Sequence, residues 1–297
     1  MGSVLVHMLL LRGYSVTVLD NFMYGQQSLN HLCSFEKLTI ERGNAQEIAS
    51  RTLLLKQHDV FIPLAALVGA KACEREYETT WNTNCRAVCA LVNNLSDEQI
   101  VIYPNTNSGY GRGGEALCTE ESPLLPVSAY GSSKVKAEER VLLHPRGVAL
   151  RFATLFGASP RMRLDLMVND FVYKAVRDRY LVIFEGHFRR NFLHVRDAAH
   201  TFLFAIANIE AMKGRAFNVG NSALNMTKLE LAREIGQRTG CSVREAPDGT
   251  VDPDQRDYVV SNARLESLGW RPLYGLKEGI AELARCFAQP FESHRNA

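Results

Sequence analysis

Residues 1–20 read MGSVLVHMLLLRGYSVTVLD. Ser3 to Arg12 carries apolar side chains at helical spacing, and Gly13 is a natural stop. Ser15 to Leu19 follows as a short β-strand and ends at an acid, Asp20. Helix, stop, strand and strand-end acid is an order that belongs in a doubly wound α/β sheet. The rhythm continues along the chain. Leu38 to Glu41, Val60 to Leu64, Gln99 to Tyr103 and Val148 to Phe152 are β-rich runs, and Tyr130 to Leu143 reads as a helix ahead of the last of them. This alternation predicts an α/β fold with a Rossmann-type parallel sheet over residues 1–153. From about residue 154 the pattern loosens. Gly157 to Leu164 and Glu185 to Asn191 are loops rich in Gly, Pro and Arg, and two further helices, Leu229 to Thr239 and Leu276 to Phe287, stand out. Residues 154–297 therefore read as a smaller substrate-binding lobe, interleaved with the last strands of the sheet.

The opening stretch lacks one piece of that fold. A dinucleotide-binding unit starts with a strand and a glycine-rich turn into its first helix. Met1-Gly2-Ser3-Val4 matches the last glycine of such a turn and the helix after it. The expectation is a natural start about 10 to 25 residues upstream, and a gap in the sheet of roughly two strand spacings, ~9 to 10 Å.

Composition narrows the function classes. Of 297 residues, 46% are apolar and 22% charged, the balance of an ordinary globular protein. The net charge is +2, with no Lys/Arg block, so neither nucleic acid nor an anionic membrane surface is indicated. The longest apolar run near the start, Met8 to Leu11, is too short for a signal peptide or a membrane span. The seven cysteines have irregular spacing and no Cys-x-x-Cys pair, which reads as free thiols in a reducing cytoplasm and gives no metal site.

Tyr130-Gly-Ser-Ser-Lys134 places a phenol and an amine at i and i+4, on one face at the start of the predicted helix. An ammonium there favours the phenolate, and such a tyrosine can take a hydroxyl proton while hydride leaves the same carbon. The motif alone is also compatible with a solvated helix face. Upstream, Pro104 to Gly111 follows a strand, and ligands of such sheets sit at strand C-terminal ends. Thr106 is the candidate hydroxyl there, against the plainer reading of a turn residue.

With these residues in view, the chain resembles the extended short-chain dehydrogenase/reductase family, in particular its NAD-dependent nucleotide-sugar epimerases and dehydratases of the UDP-glucose 4-epimerase type. The resemblance runs from Gly2 to about Pro272. It is carried by Leu64-Ala65-Ala66, Asn82, Tyr110-Gly111, the Tyr130/Lys134 pair, Arg151-Phe152, Arg190 to Asp197, Phe217 to Gly220 and Leu268 to Pro272. It implies Tyr130 as acid/base, Lys134 as its aid and a contact to the nicotinamide ribose, and Thr106 as a contact to the substrate hydroxyl. It implies a cofactor site of Gly2, Asp20, Asn21, Asn44, Leu64, Ala65, Ala66 and Asn82 together with Tyr130 and Lys134. Asp20 would bind two ribose hydroxyls and repel a 2′-phosphate, favouring NAD over NADP; an Asx turn with Asn21 is the alternative. Arg190 and Arg256 match arginines that hold a substrate diphosphate, and Asn169 a substrate-contacting amide.

The departures are informative. Asn44 stands where an acid is usual, and Thr154 where many epimerases have a phosphate-binding Asn. Asn107 and Ser108 replace the Asp-Glu of 4,6-dehydratases and the Glu of sugar-acid decarboxylases, which makes both activities less expected. The resemblance therefore implies transient oxidation at C4 of a nucleotide sugar. Net redox chemistry on the same substrate class is the alternative, and a non-catalytic nucleotide-sugar-binding protein is the alternative of another class. It also implies a homodimer through the helices bearing Asn82 and Tyr130, whose residues Val88, Leu91, Val92 and Val141 are read as an outward apolar face or as core.

Overall fold

The computed structural model describes residues 1–25, 27–246 and 257–289, and for 113–116 the backbone alone. In chain order the strands are β1 (Val16–Asp20), β2 (Leu38–Arg42), β3 (Val60–Phe61), β4 (Ile100–Thr106), β5 (Gly113–Cys118), β6 (Gly147–Phe152), β7 (Thr154–Phe156), β8 (Tyr180–Ile183), β9 (Arg189–His194), β10 (Arg215–Val219), β11 (Asn225–Thr227), β12 (Ser242–Glu245) and β13 (Asp257–Val260). A parallel sheet of order β10-β6-β4-β3 forms the centre of the molecule.

Its strands alternate between two cores because successive side chains leave opposite faces. On β4, Ile100 and Ile102 join Leu5 and Leu9 of the Gly2–Leu11 helix and Phe202 of the Val195–Ala207 helix. Val101 and Tyr103 pack on the other face against Cys85, Val88 and Val92, and against Ala137 and Val141 of the Ala129–Leu142 helix. Gly147 opens β6 so close to that helix that a Cβ would lie 1.9 Å from the Val141 carbonyl. Val88, Leu91, Val92 and Val141 are each at most 5% exposed. They are core of the single chain, not an outward face, because both helices turn their apolar stripes onto the sheet.

β3 ends at Phe61 rather than Leu64, and β4 runs on past Tyr103 through Pro104 to Thr106. The reason lies in parity. In a parallel strand the N–H and C=O of one residue face the same neighbour, alternating along the chain. Ile100 N–H bonds Asp59 on the β3 side, and Val101 N–H bonds Arg146 on the β6 side. Pro104, an even position, therefore aims its missing donor to the side where the β3 ladder has already stopped, and the strand continues at no cost in pairing.

β1 and β2 pair in parallel with each other and with neither β3 nor β4. Val16 N–H bonds Lys37 on the β2 side, so the main-chain groups of Thr17 and Leu19 face away from β2. By the same rule Val60 and Ile62 face away from β4. These two edges border one cleft, and every residue of β1 and β3 lines it. His58 bridges them: its Nδ1 lies 2.8 Å from the Leu54 carbonyl, so that nitrogen carries the proton and Nε2 accepts from Thr17 Oγ1 at 2.8 Å.

A further core, away from the central sheet, is built by the Met167–Arg177, Lys228–Thr239 and Leu276–Phe287 helices with β7, β8 and β9, around Val172, Phe192, Ile235 and Ile280. The seven cysteines are free. Among the described residues no helix is long and apolar enough to cross a membrane, and no group of His, Cys, Asp or Glu could hold a metal ion.

One half-buried carboxylate, Glu282, locks the Leu276–Phe287 helix to the central structure. Glu282 accepts from His194 Nε2 at 2.6 Å and from the Ala158 amide at 2.8 Å, and pairs with Arg196. His194 Nδ1 accepts the Arg196 N–H, which leaves the ring proton on Nε2. Burial alone would raise the Glu282 carboxyl, but the bonds from His194 and Ala158 and the nearby positive charge win, and it lies below its ordinary 4.5. A carboxyl lowered in the folded state adds stability above its unfolded value and loses it as pH falls through the folded one. Glu282→Gln is expected to cost about 1 to 3 kcal/mol at pH 7, with the difference from wild type shrinking below pH 4.5. Denaturant melts across pH check this.

Candidate active site

The helix that carries Tyr130 begins at Ser128, whose Oγ accepts the Gly131 N–H at 3.2 Å. That cap fixes the first turn, and Tyr130 and Lys134 follow on one face, both lining the cleft. Lys134 is 4% exposed, with its ammonium 4.1 Å above the Tyr103 ring. Burial pushes the Lys134 amine down to about 7, against Glu138 one turn further on, whose charge pulls it up.

Thr106 ends β4 beside them and lines the same cleft. Its Oγ1 accepts the Ser108 N–H at 3.2 Å and lies 3.1 Å from Ser108 Oγ, so the hydroxyl is oriented by the turn it caps. The turn can close because Gly111 takes φ +74°, where a Cβ would strike the Leu125 carbonyl at 2.1 Å.

The cleft runs from these residues along β1 and β3 on one side and into the second lobe on the other, with a volume of about 1690 Å³. Pockets for one small ligand hold ~300 to 1,000 Å³, so there is room for two ligands side by side. Gly2, Asp20, Asn21, Asn44, Leu64, Ala65 and Ala66 line the β1 and β3 half. Asp20 does form an Asx turn, but onto Phe22: one carboxylate oxygen accepts the Phe22 N–H at 2.7 Å, while Asn21 caps Met23 at 3.1 Å. Asn44 caps the next turn by accepting the Gln46 N–H at 3.0 Å.

Asn82 does not reach the cleft. The lining face of its helical segment is Thr79, Thr83, Ala87 and Leu91, spaced by four, with Val88 beside them. Asn82 lies about a quarter turn away in a π-helical stretch, Asn82–Arg86, and its Oδ1 accepts from Arg86 at 2.6 Å. Thr83 takes the lining position and receives a bond from Gln46 Nε2 at 2.8 Å.

In the second lobe Thr154, Asn169 and Arg190 line the cleft. The Asn169 amide is engaged on both ends, accepting the Gly157 N–H at 3.1 Å and donating to the Arg163 carbonyl at 2.9 Å. It shapes the loop after β7 as well as facing the cleft. Arg190 is 2% exposed, donates to the Arg189 carbonyl at 2.9 Å and stands 5.7 Å from the Tyr258 ring. Arg256 lies outside the described residues.

A family model described as the NAD dependent epimerase/dehydratase family matches residues 1–220. The chain belongs to that family. It is 26% identical over 94% of its length to a putative UDP-glucose 4-epimerase of Methanocaldococcus jannaschii, covering 92% of that protein. It is 28% identical over 96% of its length to UDP-glucuronic acid decarboxylase 1 of Arabidopsis thaliana, covering 67% of it. In fold it is similar to the UDP-glucose 4-epimerase of Thermus thermophilus, solved with NAD, with a TM-score of 0.80, 21% identity and 97% and 95% of the two chains covered.

Several lining residues of this family member carry no local signal in the sequence. Tyr24 follows β1, and Arg161 of the loop after β7 stacks on its ring at 3.9 Å, joining the two lobes across the cleft. Lys228, 2% exposed, donates to the Phe184 carbonyl at 3.0 Å. A count of apolar spacing at four could have singled out Thr83, but the pairs joined over long separations could not be found that way. NAD binding is expected to survive Asn82→Ala within about twofold and to weaken about tenfold or more in Thr83→Leu, which fills the lining. Equilibrium titration with NAD checks the contrast.

Proposed function

We propose that the chain is an NAD-dependent epimerase of a nucleotide-activated sugar, acting at C4 through Tyr130, Lys134 and Thr106. The observation that carries this reading is that all three line one cleft whose far wall is Arg190. The donor set fits the cofactor: a carboxylate at the tip of β1, an amide at Asn44, the small residues Ala65 and Ala66 where a flat ring must approach, and the Lys134 amine. Bound NAD would accept hydride from the sugar carbon and return it.

The chain's own residues supply the rest. Tyr130 takes the C4 hydroxyl proton and later gives it back. The Lys134 ammonium favours the phenolate, and Thr106 bonds the same sugar oxygen. Arg190 offers its guanidinium to the diphosphate, and Arg256 is assigned to it by sequence alone. Anchoring the unreactive part of the substrate while the sugar turns over lets either face of C4 meet the cofactor; positioning of this kind can contribute roughly 7 to 11 kcal/mol. Asn107 and Ser108 carry no acid beside Thr106, which weighs against elimination and decarboxylation.

The unpaired edges of β1 and β3 favour one second reading, a protein that binds nucleotide sugars without turning them over. Phosphate-gripping amides of this fold class lie at that point of the sheet.

A panel of UDP-, GDP-, CDP- and dTDP-sugars scored by product stereochemistry separates the readings. Epimerisation without net NADH supports the first, and stoichiometric NADH points to a dehydrogenase instead. Binding with no product on any sugar, and no NAD retained through purification, supports the second. Tyr130→Phe is expected to lose turnover by about a thousandfold or more while keeping nucleotide-sugar affinity within a few-fold; undiminished turnover refutes the assignment.

A further inference from the structure

Tyr130, Lys134 and Glu138 follow at i, i+4 and i+8 on one helix, so Glu138 is the next side chain beyond Lys134 on that face. Glu138 is 3% exposed and is held from two sides. From β6, Arg151 Nη2 donates to Oε1 at 2.6 Å, and its Nε lies 3.1 and 3.2 Å from Oε1 and Oε2. From β4, Asn105 Nδ2 donates to Oε2 at 2.5 Å. That bond decides which way the Asn105 amide faces, and its Oδ1 accepts the Thr106 N–H at 2.8 Å. One carboxylate therefore reaches the residue that carries the hydroxyl and stands one turn from the amine.

We propose that Glu138 is a positioning residue for both halves of the site: through Asn105 it sets the Thr106 backbone, and across one helical turn it keeps Lys134 an ammonium. This rests on reading Tyr130, Lys134 and Thr106 as the reacting groups.

The charged and titratable groups at Lys134 and at the Tyr103 ring beneath it are Tyr130 and Glu138 on the helix of Lys134, Cys85 and Cys89 on the facing helical segment, and Arg151 on β6 behind Glu138. Burial holds the Tyr103 phenol and the Cys85 thiol neutral, since both are raised. Glu138 is then the anion that offsets the burial of the amine, and Arg151 is the cation that dilutes its effect. Removing the anion must drive the amine further down. Removing Arg151 must drive it up. A residue that only fills space predicts neither sign.

The test uses the full chain with lysines labelled at 13Cε, the Lys134 signal being assigned by its loss in Lys134→Arg. The Lys134 midpoint is expected near pH 7 in the wild type. In Glu138→Gln it is expected about one pH unit lower, which makes the neutral fraction at pH 6 about fivefold larger. In Arg151→Met it is expected to rise. Because that variant leaves a carboxylate buried without its partner, Glu138→Gln/Arg151→Met serves as the folded companion, with a midpoint between those of the two single variants. The Thr106 half reads out as amide hydrogen exchange. Glu138→Gln keeps an oxygen for Asn105 and leaves exchange within about twofold, whereas Glu138→Ala speeds it about tenfold or more.

Opposite shifts of the midpoint with faster Thr106 exchange in the alanine variant support the proposal. A midpoint that stays put in Glu138→Gln, or Thr106 exchange unchanged in Glu138→Ala, overturns it. Neither readout needs turnover. A positive result here with full activity in Tyr130→Phe would fault the proposed function and leave the coupling standing; the reverse result would do the opposite.

Discussion

The buried pair of Arg151 and Glu138 is the constraint on which the rest of the site depends. Their side chains are 7% and 4% exposed. Two charges taken out of water this far are stable only when nearly every polar atom is bonded. Here they are. Glu138 receives Arg151 and Asn105, and Arg151 also gives to the Tyr110 hydroxyl at 3.0 Å and the Glu120 carbonyl at 3.2 Å. Burial pushes the Tyr110 phenol up to about 12 despite Arg151 beside it, so it keeps its proton and donates it to Asn218 at 2.7 Å. Asn218 passes the chain on to the Ser261 carbonyl at 3.0 Å. The network thus binds β4, β6, β10 and the Ala129–Leu142 helix into one body. Removing either partner of the Arg151–Glu138 pair strands the other charge at about 3 to 5 kcal/mol, which is why the surrounding geometry has little freedom.

That rigidity explains which parts of the fold were legible. The Ala129–Leu142 and Leu276–Phe287 helices and the runs of β1, β2 and β6 follow from spacing, because each buries one face against a neighbour and the pattern records it. Pro104 misled the reading of β4, since a proline speaks against a central strand unless its nitrogen faces a vacant side, and vacancy is a property of the neighbour β3. Asn82 misled the reading of the cleft because it stands about a quarter turn from the Thr79, Thr83 and Ala87 side that lines it, and nothing in a residue's type announces which side of a helical segment meets a cleft. Val88 and Val141 have the same look whether they face a partner or a sheet; only the packing decides.

Motif residues also divide into those that line the cleft and those that hold the frame. In the Arg190 to Asp197 run, Arg190 lines the cleft. Asp197 instead accepts the Leu273 and Tyr274 amides at 2.8 and 3.0 Å, pinning the segment after Trp270, itself 1% exposed in the main core. Asn169 does both, since its amide is spent on the loop between Gly157 and Arg163. Short motifs therefore locate the site more surely than they assign roles within it, because a buried polar side chain is costly wherever it stands and must be bonded in either case.

The two unpaired edges give the cleft its particular form. Thr17 and Leu19 on one side and Val60 and Ile62 on the other turn main-chain donors and acceptors toward a shared space, with His58 and Thr17 joined across it. Such groups lose free energy unless water, a strand or a ligand meets them. In this molecule they lie along the same cleft as Asp20, Ala65 and Lys134. The half lined by Asp20, Ala65 and Lys134 is consequently bordered by two strand edges at which no further strand pairs among the described residues, while the half with Arg190 and Asn169 is walled by side chains bonded around the core of the Met167–Arg177, Lys228–Thr239 and Leu276–Phe287 helices. The two halves meet at the loop after β7, where Arg161 reaches over to the Tyr24 ring and ties the two sides of the cleft together.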